Sequence, residues 1–123
     1  MNISKDNWRP LPDFLSIQPS KIDGLGLFAL EEIPAGTDLG MSHIHDERFP
    51  DEHIRLPLGA FINHHEIPNC KAVLATHDDT MGEIKHVRIV TLQKIEKGSE
   101  LNLKYIFNIL EQPNWGKDYD ISQ

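Results

Sequence analysis

Tyr105 closes the run Gly98-Ser99-Glu100-Leu101-Asn102-Leu103-Lys104-Tyr105, where a tyrosine is normally a core residue whose hydroxyl, able to donate and accept, reaches the rim. Two earlier segments could hold a ligand. Asn63-His64 follows Ala60-Phe61-Ile62. An asparagine side chain donates and accepts at once, so it can hold an amino-acid-like group, and His64 adds backbone donors and acceptors. Gly24-Leu25-Gly26 removes two side chains and lets a ligand approach the backbone closely. Alone, such a Gly-x-Gly is usually only a turn. It is not a dinucleotide fingerprint, because the third glycine is missing and no βαβ unit follows. A fourth cluster, His43-Ile44-His45-Asp46-Glu47, has imidazole and carboxylate groups that suit zinc or iron.

These residues need elements to position them. Phe14–Ile17 reads as a short strand and Ile22–Gly26 as a turn. Leu25, Leu27 and Ala29 alternate with Phe28 and Leu30, which predicts a strand buried on both faces. Pro34-Ala35-Gly36-Thr37 is a turn. Residues 41–60, with three histidines, two prolines and the acids Asp46, Glu47, Asp51 and Glu52, read as loop with one short helical turn. Residues 84–92 are rich in β-branched side chains and predict a strand. After the Lys97-Gly98-Ser99 turn, Leu101, Leu103 and Tyr105 fall on one face by the period of two. The pattern divides into an arm (1–13), a domain (14–106) and a tail (107–123), and short strands with frequent turns make the domain mainly β.

The bulk numbers exclude several classes. A chain of 123 residues holds one domain comfortably. A single cysteine, Cys70, rules out an intramolecular disulfide and a multi-cysteine zinc site, and points to a reducing compartment. The net charge of −7 argues against nucleic acid as a partner and is compatible with a basic protein or peptide. No window is long and apolar enough to span a membrane, and the first residues lack a secretion signal, so the expectation is an intracellular protein.

Taken in order, Gly24-Leu25-Gly26-Leu27-Phe28-Ala29, Phe61-Ile62-Asn63-His64, Pro68-Asn69-Cys70 and Gly98–Tyr105 resemble the signature of SET-domain protein lysine methyltransferases. The resemblance implies the family's β-clip fold: small curved sheets around a knot-like crossing of the C-terminal segment, with little helix. It implies S-adenosylmethionine as cofactor, held by Asp23, Gly24, Leu25, Gly26, Asn63 and His64, with the His64 backbone meeting the adenine edge. It gives Tyr105 the role of active-site phenol. Many members read Asn-His-Ser-Cys-x-Pro-Asn-Cys, where this chain has His65 and Glu66 at the Ser and first Cys positions. No cysteine follows Cys70, so the family's post-domain zinc site is expected to be absent and no metal is assigned. The lysine channel is then expected to involve Leu103, at a position often Phe or Tyr, with Phe107, Trp115 and Tyr119 as aromatic walls. Leu103 has no hydroxyl to hold a water or an amine, which implies a roomier site and multiple methylation.

The chain looks like the minimal stand-alone SET proteins of viruses and bacteria, which implies the cytoplasm, or the host nucleus for a viral protein. The implied partner is a lysine-bearing protein or basic peptide. A small domain without flanking modules has room to complete its site as a homodimer. Two alternatives stay open: a metal-dependent cupin-like enzyme built on His43 and His45, and a SET-fold binding module without activity.

Overall fold

In the computed structural model, residues 11–49 and 52–104 are described. They form two four-stranded sheets and one short helix. The first sheet has the order β1-β2-β8-β5 and the second β4-β3-β7-β6. Strands β1 (Leu15–Pro19) and β2 (Leu25–Ala29) form an antiparallel hairpin, with Leu15 opposite Ala29 and Ile17 opposite Leu27. β8 (Glu100–Leu103) pairs antiparallel with β2 and parallel with the two-residue β5 (Asn63–His64). β3 (Asp38–His45), β4 (His53–Arg55), β6 (Cys70–Asp78) and β7 (Gly82–Thr91) are all joined antiparallel.

The core is aliphatic. Leu27, Ile33, Leu58, Ile62, Leu74, Ile89, Ile95 and Leu101 are fully buried. β2 follows its expected pattern at Leu27 and Ala29, which are buried, but Leu25 and Leu30 at its two ends are exposed. The predicted strand at 84–92 is β7, and the alternation after Ser99 is borne out over Leu101–Lys104, with both leucines buried.

Residues 41–60 depart from the loop expected there. Residues 41–45 belong to β3 and 53–55 to β4, and helix α1 (Pro57–Phe61) ends the stretch. Register shifts between Asp38 and Gly40 and between Met41 and His43 break the period of two, so β3 carries no alternation a sequence could show. Its polar residues are tolerated because the fold satisfies them. Ser42 is fully buried, and its hydroxyl meets the Val87 carbonyl at 3.2 Å and His43 Nδ1 at 2.8 Å. α1 has Pro57 in its first turn and no side-chain cap at Leu56. Packing places it instead: Leu58 is buried, and a Cβ on Gly59 would lie 2.5 Å from the Ser42 carbonyl. β6 was not expected as an element. Its inward positions Cys70, Ala72 and Leu74 are buried.

Candidate active site around Asn63 and the glycine bend

The site begins at a bend. After β1 the chain turns through residues 20–24 into β2, and Gly24 takes φ +44°, which favours glycine. A Cβ there would meet nothing within 4 Å, so the outer side of the bend is open. Gly26 has the opposite reason. It is buried, and a Cβ would collide with the Glu100 carboxylate and come within 3.1 Å of Asn63 Nδ2. One glycine lets the chain turn; the other lets β2 lie flat against a carboxylate.

Asn63 ties this bend to the last described strand. α1 delivers the chain into β5, where Asn63 aligns with Asn102 and His64 with Leu103. The Asn63 Nδ2 group then points into a ring of acceptors: Asp23 O at 3.1 Å, Leu25 O at 3.2 Å, Ser20 Oγ at 3.1 Å and Glu100 Oε2 at 2.9 Å. Only an amide nitrogen suits that ring, since an oxygen there would face four acceptors. Ser20 completes the lock. Its hydroxyl lies 2.8 and 2.9 Å from the two Glu100 carboxylate oxygens and accepts the Ile22 N–H at 2.9 Å. Three segments far apart in the chain, 20–26, 63–64 and 100–103, therefore converge on one half-buried carboxylate.

His64 lies at the edge of this cluster. Its Nε2 meets Glu66 Oε1 at 3.1 Å, and Lys104 Nζ lies 3.8 Å from Glu66 Oε2. The hydrogen bond with His64, the His64 charge and the Lys104 charge hold the Glu66 carboxyl below its usual range. The sequence could not show that Glu66, standing where many members have cysteine, would bridge His64 and the residue before Tyr105.

Of the predicted residues, Asp23, Gly24, Leu25, Gly26, Asn63 and His64 come together. Leu103, expected beside a substrate channel, is 5% exposed and belongs to the core. Tyr105, Phe107, Trp115 and Tyr119 lie outside the described residues. Ser20 and Glu100 were not singled out. Glu100 stands inside a quoted motif, but nothing in the sequence links it to a serine eighty positions earlier.

The histidines of β3 and β4 lie side by side, with His45 opposite His53. Among the described residues no group of three His, Cys, Asp or Glu could hold a metal ion. His43 instead packs edge-to-face on His53, ring centroids 5.0 Å apart, and burial, His53 and Arg55 lower its pKa to about 4. Cys70 is fully buried and its thiol is pushed up to about 12, which makes it an inert packing residue. An open groove of about 840 Å³ lies on the second sheet, against Leu39, Met41, Ile44, Leu56, Met81 and Arg88, away from the bend. Among the described residues no helix is long and apolar enough to cross a membrane.

Residues 41–106 match the family model of the SET domain, more than half of the chain. The chain belongs to the SET domain family. Its described strands agree with that fold, and solved structures agree as well. A candidate histone methyltransferase from Plasmodium falciparum aligns with a TM-score of 0.62 at 20% identity, over 80% of this SET protein and 98% of the other chain. A humanized mutant of the Chaetomium thermophilum Polycomb Repressive Complex 2, bound to the inhibitor GSK126, aligns at 0.57 and 19% identity over 80% of this chain. The match covers only 16% of that longer chain. At these identities the likeness is one of fold. Among curated protein sequences none matches.

Proposed function

We propose that this SET protein is an S-adenosylmethionine-dependent methyltransferase acting on a lysine side chain of a protein or basic peptide. The observation that carries the reading is the Asn63 amide, which joins the glycine bend to β8 through Asp23 O, Leu25 O and Glu100. β8 leads directly to Tyr105, two residues beyond Leu103, and Leu103 is the register partner of His64.

The bend has the chemistry the cofactor needs. Its open side at Gly24 admits a ligand, and its carbonyls and the Glu100 carboxylate make it rich in acceptors for an ammonium group. Among the described residues Asn63 Oδ1 accepts no hydrogen bond, which leaves it for the amino-acid end of the ligand. When bound, the cofactor supplies a methyl group on a positive sulfur, ready for in-line displacement.

The protein's share is positioning and proton control. A lysine ammonium has no lone pair, and its ordinary pKa is about 10.4, so it must first lose a proton. An apolar channel favours that loss by penalising the charged form. Holding the neutral amine in line with the methyl carbon can contribute about 7–11 kcal/mol. Tyr105 orients the amine through its phenol and forms no covalent bond. The net charge of −7 favours basic segments as substrates.

The test is transfer of a radiolabelled methyl group to basic proteins, with calorimetric binding of S-adenosylhomocysteine alongside. The expected result is binding and transfer by the wild type, and binding with at least about a hundredfold less turnover in Tyr105→Phe. Binding without transfer to any basic protein would mark a binding module. Neither binding nor transfer would overturn the reading.

A further inference from the structure

Asn69 has no assigned part in the site, yet it is bonded beside it through both its backbone and its side chain. Its backbone N–H donates to Asn102 Oδ1 at 2.9 Å. Its side-chain Oδ1 accepts the Asn102 N–H at 2.8 Å, and its Nδ2 donates to the Glu100 carbonyl at 2.9 Å. Its own carbonyl accepts the Leu92 N–H at 2.8 Å, which ties the same residue to the end of β7. The two asparagines thus exchange backbone-to-side-chain bonds reciprocally, as two strands exchange ladder bonds. β5 pairs with β8 over only two residues, with His65 N donating to the Leu103 carbonyl just beyond them, and the Asn69 side chain adds bonds to the β8 backbone at Glu100 and Asn102.

We infer that Asn69 and Asn102 are positioning residues that fix the register of β8 and so set where Tyr105 stands. The inference rests on the reading of Tyr105 as the active-site phenol. Tyr105 is three residues past Asn102 in the sequence. A strand held by two register pairs on one side and two on the other is short enough to slip or tilt. The reciprocal pair blocks both motions, because any slide breaks bonds at Asn69 N, Oδ1 and Nδ2 together. The pair meets the cluster around Asn63 at Glu100, where Asn69 holds the carbonyl and Asn63 the carboxylate.

The chemistry of each asparagine makes the inference testable. Asn69 uses both a donor and an acceptor, so no common side chain replaces it. Among the described residues Asn102 uses only its side-chain oxygen, so aspartate should serve. The experiment compares wild type, Asn69→Ala, Asn102→Ala and Asn102→Asp. It measures turnover at saturating substrate, affinity for S-adenosylhomocysteine, and hydrogen exchange at the residue-102 backbone amide. A displacement of 1 Å can cost about a hundredfold in rate. Both alanine variants should lose roughly ten- to a hundredfold in turnover while cofactor affinity stays within about threefold, and Asn102→Asp should stay within about threefold of wild type in both. The residue-102 amide should be protected in wild type and Asn102→Asp and exchange at least about tenfold faster in the alanine variants.

Full turnover in Asn102→Ala, or loss in Asn102→Asp equal to that in Asn102→Ala, would overturn the inference. So would parallel loss of turnover and cofactor affinity, which is the mark of general destabilisation. Wild-type protein that neither binds S-adenosylhomocysteine nor transfers methyl groups would sink the enzymatic reading instead. The exchange rates then decide the asparagine pair by themselves: no acceleration in Asn69→Ala, which removes the acceptor of that amide, refutes it.

Discussion

Replacing Asn63 by aspartate changes little in shape and reverses the chemistry of one atom. The carboxylate oxygen would sit where Nδ2 now lies, 2.9 Å from Glu100 Oε2 and 3.1–3.2 Å from two carbonyl oxygens and Ser20 Oγ. Two unit charges about 3 Å apart repel by roughly 5–6 kcal/mol at an effective dielectric near 20. Protonating the new carboxyl costs less: from an ordinary pKa of about 3.9, it takes about 4 kcal/mol at pH 7 and about 1.5 at pH 5. The protonated group also restores one donor toward Glu100. The penalty is therefore set by protonation and falls about tenfold in equilibrium terms for each unit of acidification. Thermal melting reads it without any ligand, and calorimetry with S-adenosylhomocysteine reads it at the bend. Between pH 7 and 5 wild type should lose only the roughly 2 kcal/mol that His43 contributes, a slope common to every variant compared. Asn63→Asp should melt roughly 15 °C below wild type at pH 7 and recover much of that gap at pH 5. Asn63→Ala should be weakened relative to wild type by the same amount at both pH values. If Asn63→Asp and Asn63→Ala give parallel profiles, the ring of acceptors is not what holds the bend.

Gly26→Ala should drive its methyl group into the Glu100 carboxylate, costing about 1–3 kcal/mol in a denaturant melt and weakening cofactor binding with it. Gly24→Ala instead meets open space, so its smaller loss should come from the backbone angle alone. His43 titrates lower in the folded protein than in the unfolded chain, from 6.5 to about 4, so the unfolded chain binds more protons in that window. The stability it confers is complete above pH 6.5 and is lost as the pH falls toward 4, an effect of roughly 3 kcal/mol. His43→Gln should flatten that part of the stability–pH curve measured in urea, and an unchanged slope would remove His43 as its source.

The sequence revealed the strands whose pattern is regular and hid those whose register is not. β7 is a run of β-branched residues, and β8 alternates over Leu101 and Leu103, so both could be read directly. β3 could not, because its bulges undo the alternation and its buried Ser42 and half-buried His43 are satisfied only by partners forty or more residues away or by each other. The site divides the same way. The glycines and the Asn63-His64 pair stand in recognisable segments, but Ser20 belongs to no motif and shows its part only once Glu100 is brought beside it. Asn69 was visible as a letter in a motif; its reciprocal exchange with Asn102 is a property of the fold alone.

β8 also dictates an order of assembly. It occupies an interior place in its sheet, between β2 and β5, yet about 70 residues separate it from the end of β2. At synthesis rates of roughly 5–20 residues per second, β2 waits about 4–14 s on the ribosome with one edge bare. The hairpin of β1 and β2 must stay soluble through that interval, and the exposed Leu25 and Ile17 lie on it. The newborn chain should thus need a chaperone until β8 has left the ribosome and closed against β2.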